Sequence, residues 1–113
     1  MSCLFCDIAS GKIASLQVHQ DPRCVAFEDI QPQAPAHVLV VPREHIASLN
    51  DVTEGHEALL GHLVRVASEL ARARGLGEAG YRLVVNCGEG AGQSVFHLHL
   101  HLLGGRRLGW PPG

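Results

Sequence analysis

The sequence predicts an α+β domain: a mainly antiparallel five-stranded sheet with one long and one short helix. Three observations predict it. Five short segments are rich in β-branched or alternating apolar residues, and Pro, Gly or Asp-Pro signals separate them. A single long stretch, residues 53–74, keeps apolar residues at helical spacing. The length of 113 residues suits one small domain and is too short for two.

The elements follow in chain order. Residues 4–9 (Leu-Phe-Cys-Asp-Ile-Ala) form the short helix, ending at Ser10-Gly11. Leu16 to His19 reads as the first strand, with Asp21-Pro22 as the turn behind it. Cys24 to Glu28 is the second strand. Pro32 and Pro35 interrupt regular structure, and His37 to Val41, apolar and β-branched, is a central strand that Pro42 stops. Thr53 caps the long helix, which carries Leu59, Leu60, Leu63, Val64, Ala67 and Leu70 and runs to Arg74. Gly75 and Gly77 end it. Tyr81 to Asn86 and Val95 to Leu103 are the last two strands. Residues 104–113 are too rich in Gly and Pro for either element, so the chain reads as one domain, 1–113, with 104–113 as a C-terminal tail.

Composition narrows the function. With 46% hydrophobic residues the chain can bury a core, but so small a domain is marginal and a dimer would help it. The net charge of −2 and the lack of a basic block argue against nucleic-acid binding. No apolar run approaches the roughly 20 residues that span a membrane, and no secretion signal opens the chain. A cytoplasmic protein is the expectation. Without a signal peptide, cysteines 3, 6, 24 and 87 do not suggest a disulfide framework; Cys3-x-x-Cys6 reads as a metal pair. Cys24 and Cys87 read as small, mostly buried residues, and His19, His56 and His62 as surface residues outside any constellation.

The most informative stretch is Val95-Phe96-His97-Leu98-His99-Leu100-His101-Leu102-Leu103. Strand side chains alternate faces, so His97, His99 and His101 share one face and Leu98, Leu100 and Leu102 the other. An imidazole near neutral pH serves as nucleophile, proton carrier or metal ligand. Upstream, Asn86-Cys87-Gly88-Glu89-Gly90-Ala91-Gly92-Gln93-Ser94 is a glycine-rich loop of the kind that offers backbone N–H groups to phosphate. The pair suggests histidine chemistry on a phosphate group. The residues alone also fit a three-histidine metal site or an amphipathic strand with exposed histidines.

The run His97-Leu98-His99-Leu100-His101-Leu102-Leu103 resembles the signature of the histidine triad (HIT) family, His-φ-His-φ-His-φ-φ with φ apolar. Phe27-Glu28-Asp29-Ile30-Gln31-Pro32-Gln33-Ala34-Pro35, Val41-Pro42-Arg43-Glu44-His45-Ile46 and Gly92-Gln93-Ser94-Val95 are similar to further family segments. Trp110-Pro111-Pro112-Gly113 resembles the tail of the Hint branch, the histidine triad nucleotide-binding proteins. The resemblance covers almost the whole chain. It implies a HIT-like fold whose sheet pairs into ten strands in a homodimer. It also implies a purine nucleoside phosphoramidase that splits the P–N bond of AMP or GMP amidates through a nucleotidyl-histidine intermediate. The alternatives are a dinucleoside polyphosphate hydrolase, a nucleotide-binding regulatory module with little turnover, and a metal-dependent hydrolase built on the three histidines.

By the same resemblance His99 is the nucleophile, with His97 and His101 orienting it and contacting phosphate. His101, Ser94, Gln93 and the N–H groups near Gly92 stabilise charge. His101 or Ser94 protonates the leaving amine, a choice the residues leave open. Asn86 lies near the phosphate, and His37 supports the site from an adjacent strand. Asp29 takes the ribose hydroxyls, and Phe5, Ile8, Phe27 and Ile30 surround the base. Trp110 reaches toward the partner's site and shapes leaving-group preference, although Gly109 and the pair Arg106-Arg107 depart from the common pattern. Some relatives bind structural zinc through the positions of Cys3, Cys6, His45 and His97. The chemistry needs neither that zinc nor an organic cofactor.

Overall fold

The computed structural model describes residues 3–113. Its sheet has the order β1-β2-β3-β5-β4, from β1 (Gln17–Gln20), β2 (Cys24–Glu28), β3 (Ala36–Pro42), β4 (Tyr81–Val84) and β5 (Leu100–Gly104). Every neighbouring pair is antiparallel. The helices are α1 (Leu4–Ala9), α2 (Glu57–Ala73) and the single turn α3 (Leu76–Ala79). The expected α+β architecture with one long helix is therefore the observed one.

Alternation along the strands separates two apolar layers. Cys24 and Ala26 of β2, Ala36, Val38 and Val40 of β3, and Leu100 and Leu102 of β5 pack with Leu63, Val66, Ala67 and Ala71 of α2. Val25, Phe27, Leu39 and Val41 leave the opposite face and pack with Phe5, Ile8 and Ala9 of α1. β3 is buried throughout because it lies third in the sheet between two covered faces. The second face is only partly covered, since α1 is six residues long. The uncovered remainder is where polar side chains can meet a ligand.

The fourth strand stops at Val84, short of the expected Asn86, and other ends shift by a residue; three further differences have a clear local reason. The long helix opens as a 3₁₀ turn, Glu54–His56, where the Thr53 N–H donates to His56 Nδ1 at 3.0 Å. Gly75, at φ 75°, ends α2, but the chain then makes the unforeseen turn α3, which returns Leu76 to the core. The last strand is not continuous from Val95: residues 95–99 lie outside the ladder and β5 starts at Leu100. Antiparallel register would bring Leu98 opposite Pro42, which has no N–H to offer. The Leu98 N–H turns to the Ile46 carbonyl instead.

Candidate active site

The leucine–histidine alternation survives this break. Leu98, Leu100 and Leu102 enter the α2 core. His99 and His101 lie on the α1 face, with ring centroids 5.0 Å apart, and Phe5 meets the His99 ring edge-on at 5.0 Å. His97 is completely buried and turns toward the start of α1.

Backbone groups set the tautomer of each ring. His99 Nδ1 lies 2.8 Å from the His97 carbonyl, so it carries the proton and leaves the Nε2 lone pair free. The Gln33 N–H donates to His37 Nδ1 at 3.0 Å, which places the proton of neutral His37 on Nε2. That Nε2–H faces His101 Nδ1 at 2.9 Å, with Asp29 Oδ2 at 3.4 Å. His101 Nδ1 must then accept, and its own proton sits on Nε2. Burial, followed by the neighbouring His99 and His37 rings, pushes His101 down to about 4. Burial also lowers His37, against the opposing pull of Asp29 and Glu28. Both rings are neutral at pH 7. An unprotonated ring nitrogen on His99 thus stands beside an N–H donor on His101.

The two rings open onto a cleft of about 560 Å³. Phe5, Ile8, Phe27 and Ile30 line it as expected, as do Asp29, His37, Gly92 and Ser94. Ile30 is 93% exposed, so it forms a rim and not a wall. Leu4, Ile13 and Ser15, which carried no signal in the sequence, line it as well. Asp29 Oδ1 accepts the Gln31 N–H at 2.8 Å, a short turn that orients the carboxylate. The glycine loop contains a 3₁₀ turn, Glu89–Ala91, followed by Gly92 at φ 94°. A Cβ on Gly92 would stand 3.7 Å from Asn86 Nδ2, which places the Asn86 amide against this loop.

One expected contact is not made. The Gln93 side chain is buried and spent on the loop: Nε2–H donates to the Ala47 and Val95 carbonyls, and Oε1 accepts the Gly88 N–H. It therefore shapes the loop instead of facing the cleft. Trp110 is 83% exposed and lies outside its own chain's cleft.

Beside the cleft, His97 Nε2–H donates to the Pro42 carbonyl at 2.8 Å, leaving Nδ1 as a lone pair. Around that nitrogen stand Cys3 Sγ at 3.3 Å, Cys6 Sγ at 3.4 Å and His45 Nδ1 at 3.2 Å. His45 Nδ1 is also 3.4 Å from Cys6 Sγ. The edges of a tetrahedral zinc site with these donors are about 3.3 Å between nitrogens and about 3.6 Å between sulfur and nitrogen. All four donor atoms lie within 4.8 Å of one another, and the shorter distances match these edges, so the four residues fit the ion. Burial and the Cys3 thiol push Cys6 up to about 11, so without a cation that thiol stays protonated at neutral pH. The three triad rings do not converge on one point: His97 belongs to this cluster, and His99 and His101 to the cleft.

Two residues read as isolated surface histidines belong to a third cluster. His19 Nε2 and His62 Nε2 both lie 2.7 Å from Asp21 Oδ2, while Oδ1 accepts the N–H groups of Arg23 and Cys24. No spacing in the sequence joins residues 19, 21 and 62; the laying of α2 over the sheet does.

A family model described as the HIT domain matches residues 10–108. An uncharacterized HIT-like protein of Synechococcus elongatus is 50% identical over 110 residues, 97% of this chain and 96% of that protein. A HIT family hydrolase from Legionella pneumophila superposes with a TM-score of 0.98 at 53% identity, covering 99% of this chain and 100% of that one. A zinc-bound histidine triad family protein from Mycobacterium smegmatis superposes with a TM-score of 0.80 at 34% identity, covering 100% of this chain and 81% of that one.

Proposed function

The chain belongs to the HIT domain family, and on that premise we propose that it is a Hint-type purine nucleoside phosphoramidase, a hydrolase of AMP or GMP amidates. The observation that carries the reading is the pairing of a free His99 Nε2 with a His101 Nε2–H over a cleft holding a carboxylate and an apolar slot.

P–N cleavage needs a nucleophile, donors on the phosphoryl oxygens and a proton for the amine. His99 Nε2 attacks the α-phosphorus. The N–P bond forms, the P–N bond to the amine breaks, and the amine leaves with a proton. His101 Nε2–H and the N–H groups around Gly92 face the developing charge. Ser94, exposed on the cleft wall, is the other candidate proton donor. As the N–P bond forms, the proton stays on His99 Nδ1 and its hydrogen bond to the His97 carbonyl stabilises the resulting imidazolium. Water then cleaves the nucleotidyl-histidine, releasing the nucleotide and the free ring. Asp29 accepts the ribose hydroxyls, and Phe5, Ile8 and Phe27 take the base by surface burial, which discriminates poorly between adenine and guanine.

Cys3, Cys6, His45 and His97 would hold structural zinc. With all four positions filled by protein, the ion would serve as an anchor for α1. A homodimer completes the reading. β4 is an edge strand with half-buried residues, and Trp110 is exposed; both support pairing with a second copy.

The test is adenosine 5′-phosphoramidate turnover by the full chain and its His99→Ala variant, with the adduct trapped and located by peptide mass. A loss of at least about a thousandfold and an adduct on His99 are expected. Undiminished turnover in the variant would refute the assignment.

A further inference from the structure

His97 joins two sites. Its ring nitrogen Nδ1 stands within 3.4 Å of Cys3 and Cys6, and its backbone carbonyl holds the His99 Nδ1–H at 2.8 Å. A second connection runs through α1. Cys3 is its N-cap and Cys6 lies in its first turn, while Leu4, Phe5 and Ile8, between and beyond them, line the cleft. The state of the two thiols therefore acts on the cleft along two paths, one to the wall and one to the nucleophile.

We infer that Cys3 and Cys6 form a peroxide-sensitive latch on the nucleotide pocket, an inference that rests on the cleft being that pocket. Both thiols are partly exposed, and their sulfurs lie within 4.8 Å of each other. A disulfide requires the sulfurs to close to about 2.05 Å and the Cβ atoms to about 3.8 Å. Cys3 is the N-cap of α1, in extended backbone, and Cys6 lies in the first turn. Closing the bond draws the two sulfurs together and removes both as ligands beside His97 Nδ1. The step balances. Two thiolates and one hydrogen peroxide, with two protons from solvent, give one S–S bond and two waters; a zinc ion held by Cys3 and Cys6 would be released. The sulfurs are oxidised, and the peroxide O–O bond is broken and reduced. Released from the two thiols, the His97 ring keeps its bond to the Pro42 carbonyl and its neighbour His45, and α1 loses the anchor at its N-terminal end.

The experiment uses the full chain loaded with one equivalent of zinc. AMP binding is measured by calorimetry before and after one equivalent of hydrogen peroxide. Zinc release is followed with a chromogenic chelator, the disulfide by peptide mass, and α1 by amide hydrogen exchange. The latch predicts zinc release, a Cys3–Cys6 disulfide, faster exchange in α1 and AMP binding weakened about five- to a hundredfold, the usual range of coupling between linked sites. Reductant and zinc restore all four. The variant Cys3→Ala/Cys6→Ala gives no peroxide response, whereas Cys87→Ser, at the half-buried thiol of the glycine loop, keeps it. Retained zinc, unchanged α1 exchange, or a response that survives in Cys3→Ala/Cys6→Ala and vanishes in Cys87→Ser overturns the latch. If the reduced, zinc-loaded chain does not bind AMP at all, the nucleotide reading fails, and zinc release with α1 exchange still decides the latch.

Discussion

Replacing Asp21 by Asn gives a sharp test of what holds the edge of this domain together. The carboxylate ties β1, the turn after it, β2 and α2 to one point. Oδ2 takes His19 Nε2 and His62 Nε2 at 2.7 Å each, with the Cys24 thiol at 3.4 Å, and Oδ1 takes two backbone N–H groups. Asn keeps the Oδ1 bonds but puts an NH₂ where the two imidazoles point. His19 can change tautomer and accept from it. His62 cannot, because its Nδ1 already faces the guanidinium of Arg23 at 3.1 Å. One charge-assisted bond is lost outright, about 1.5–3 kcal/mol, and the other falls to a neutral bond at a further cost of about 1 kcal/mol. The variant should lose about 2.5–4 kcal/mol in urea unfolding at pH 7, with the m-value unchanged. Burial alone would raise the Asp21 carboxyl, but the bonds from His19, the backbone and His62 hold it well below the usual carboxylate range. A depressed folded value means stability that is complete above the unfolded value of roughly 4 and is lost as pH falls toward the folded value. The gap between wild type and variant should therefore narrow as pH drops below about 4. A loss under about 1 kcal/mol, or a gap that is constant with pH, would refute the hub.

Three further outcomes follow from the site. His37→Ala removes the donor that fixes the His101 tautomer and should lower kcat about 10- to 100-fold. His37→Gln, whose amide can accept the Gln33 N–H and donate to His101, should recover part of that loss, and steady-state kinetics on the phosphoramidate decides. His101, held at about 4 against an ordinary 6.5, stays neutral in the fold while the unfolded chain takes up a proton. Its contribution to stability is thus complete above about 6.5 and falls away between about 6.5 and 4; His101→Gln should flatten the urea midpoint across that window. Asp29→Asn should weaken AMP binding by about 1.5–3 kcal/mol, roughly ten- to a hundredfold, in calorimetry; an unchanged Kd would remove Asp29 from the ribose.

Much of this molecule was legible along the chain, because the relevant physics is local. Alternation of His and Leu at residues 97–102 is a matter of which way successive side chains point, and it holds even where the ladder has ended. Apolar spacing set α2, and Cys3-x-x-Cys6 indicated a metal pair because both thiols lie on one turn. The resemblance to the HIT signature added roles that spacing alone left open.

Other features depend on atoms that no residue letter describes. The sequence placed the start of the last strand at Val95; only the sheet register shows Pro42, without an N–H, facing that segment and ending the ladder at Leu100. The protonation of His37, His97 and His99 is set by a Gln33 amide and by the carbonyls of Pro42 and His97, backbone groups that every sequence contains. Gln93 looked like a phosphate contact and is instead a strut inside its loop. His19 and His62 looked idle until α2 carried one of them 41 residues along the chain to Asp21. The chain alone determined which face each side chain takes and which residue types were present for chemistry. Tertiary structure decided which backbone groups those side chains meet, because hydrogen bonds between distant segments exist only once the sheet and helices have closed on one another.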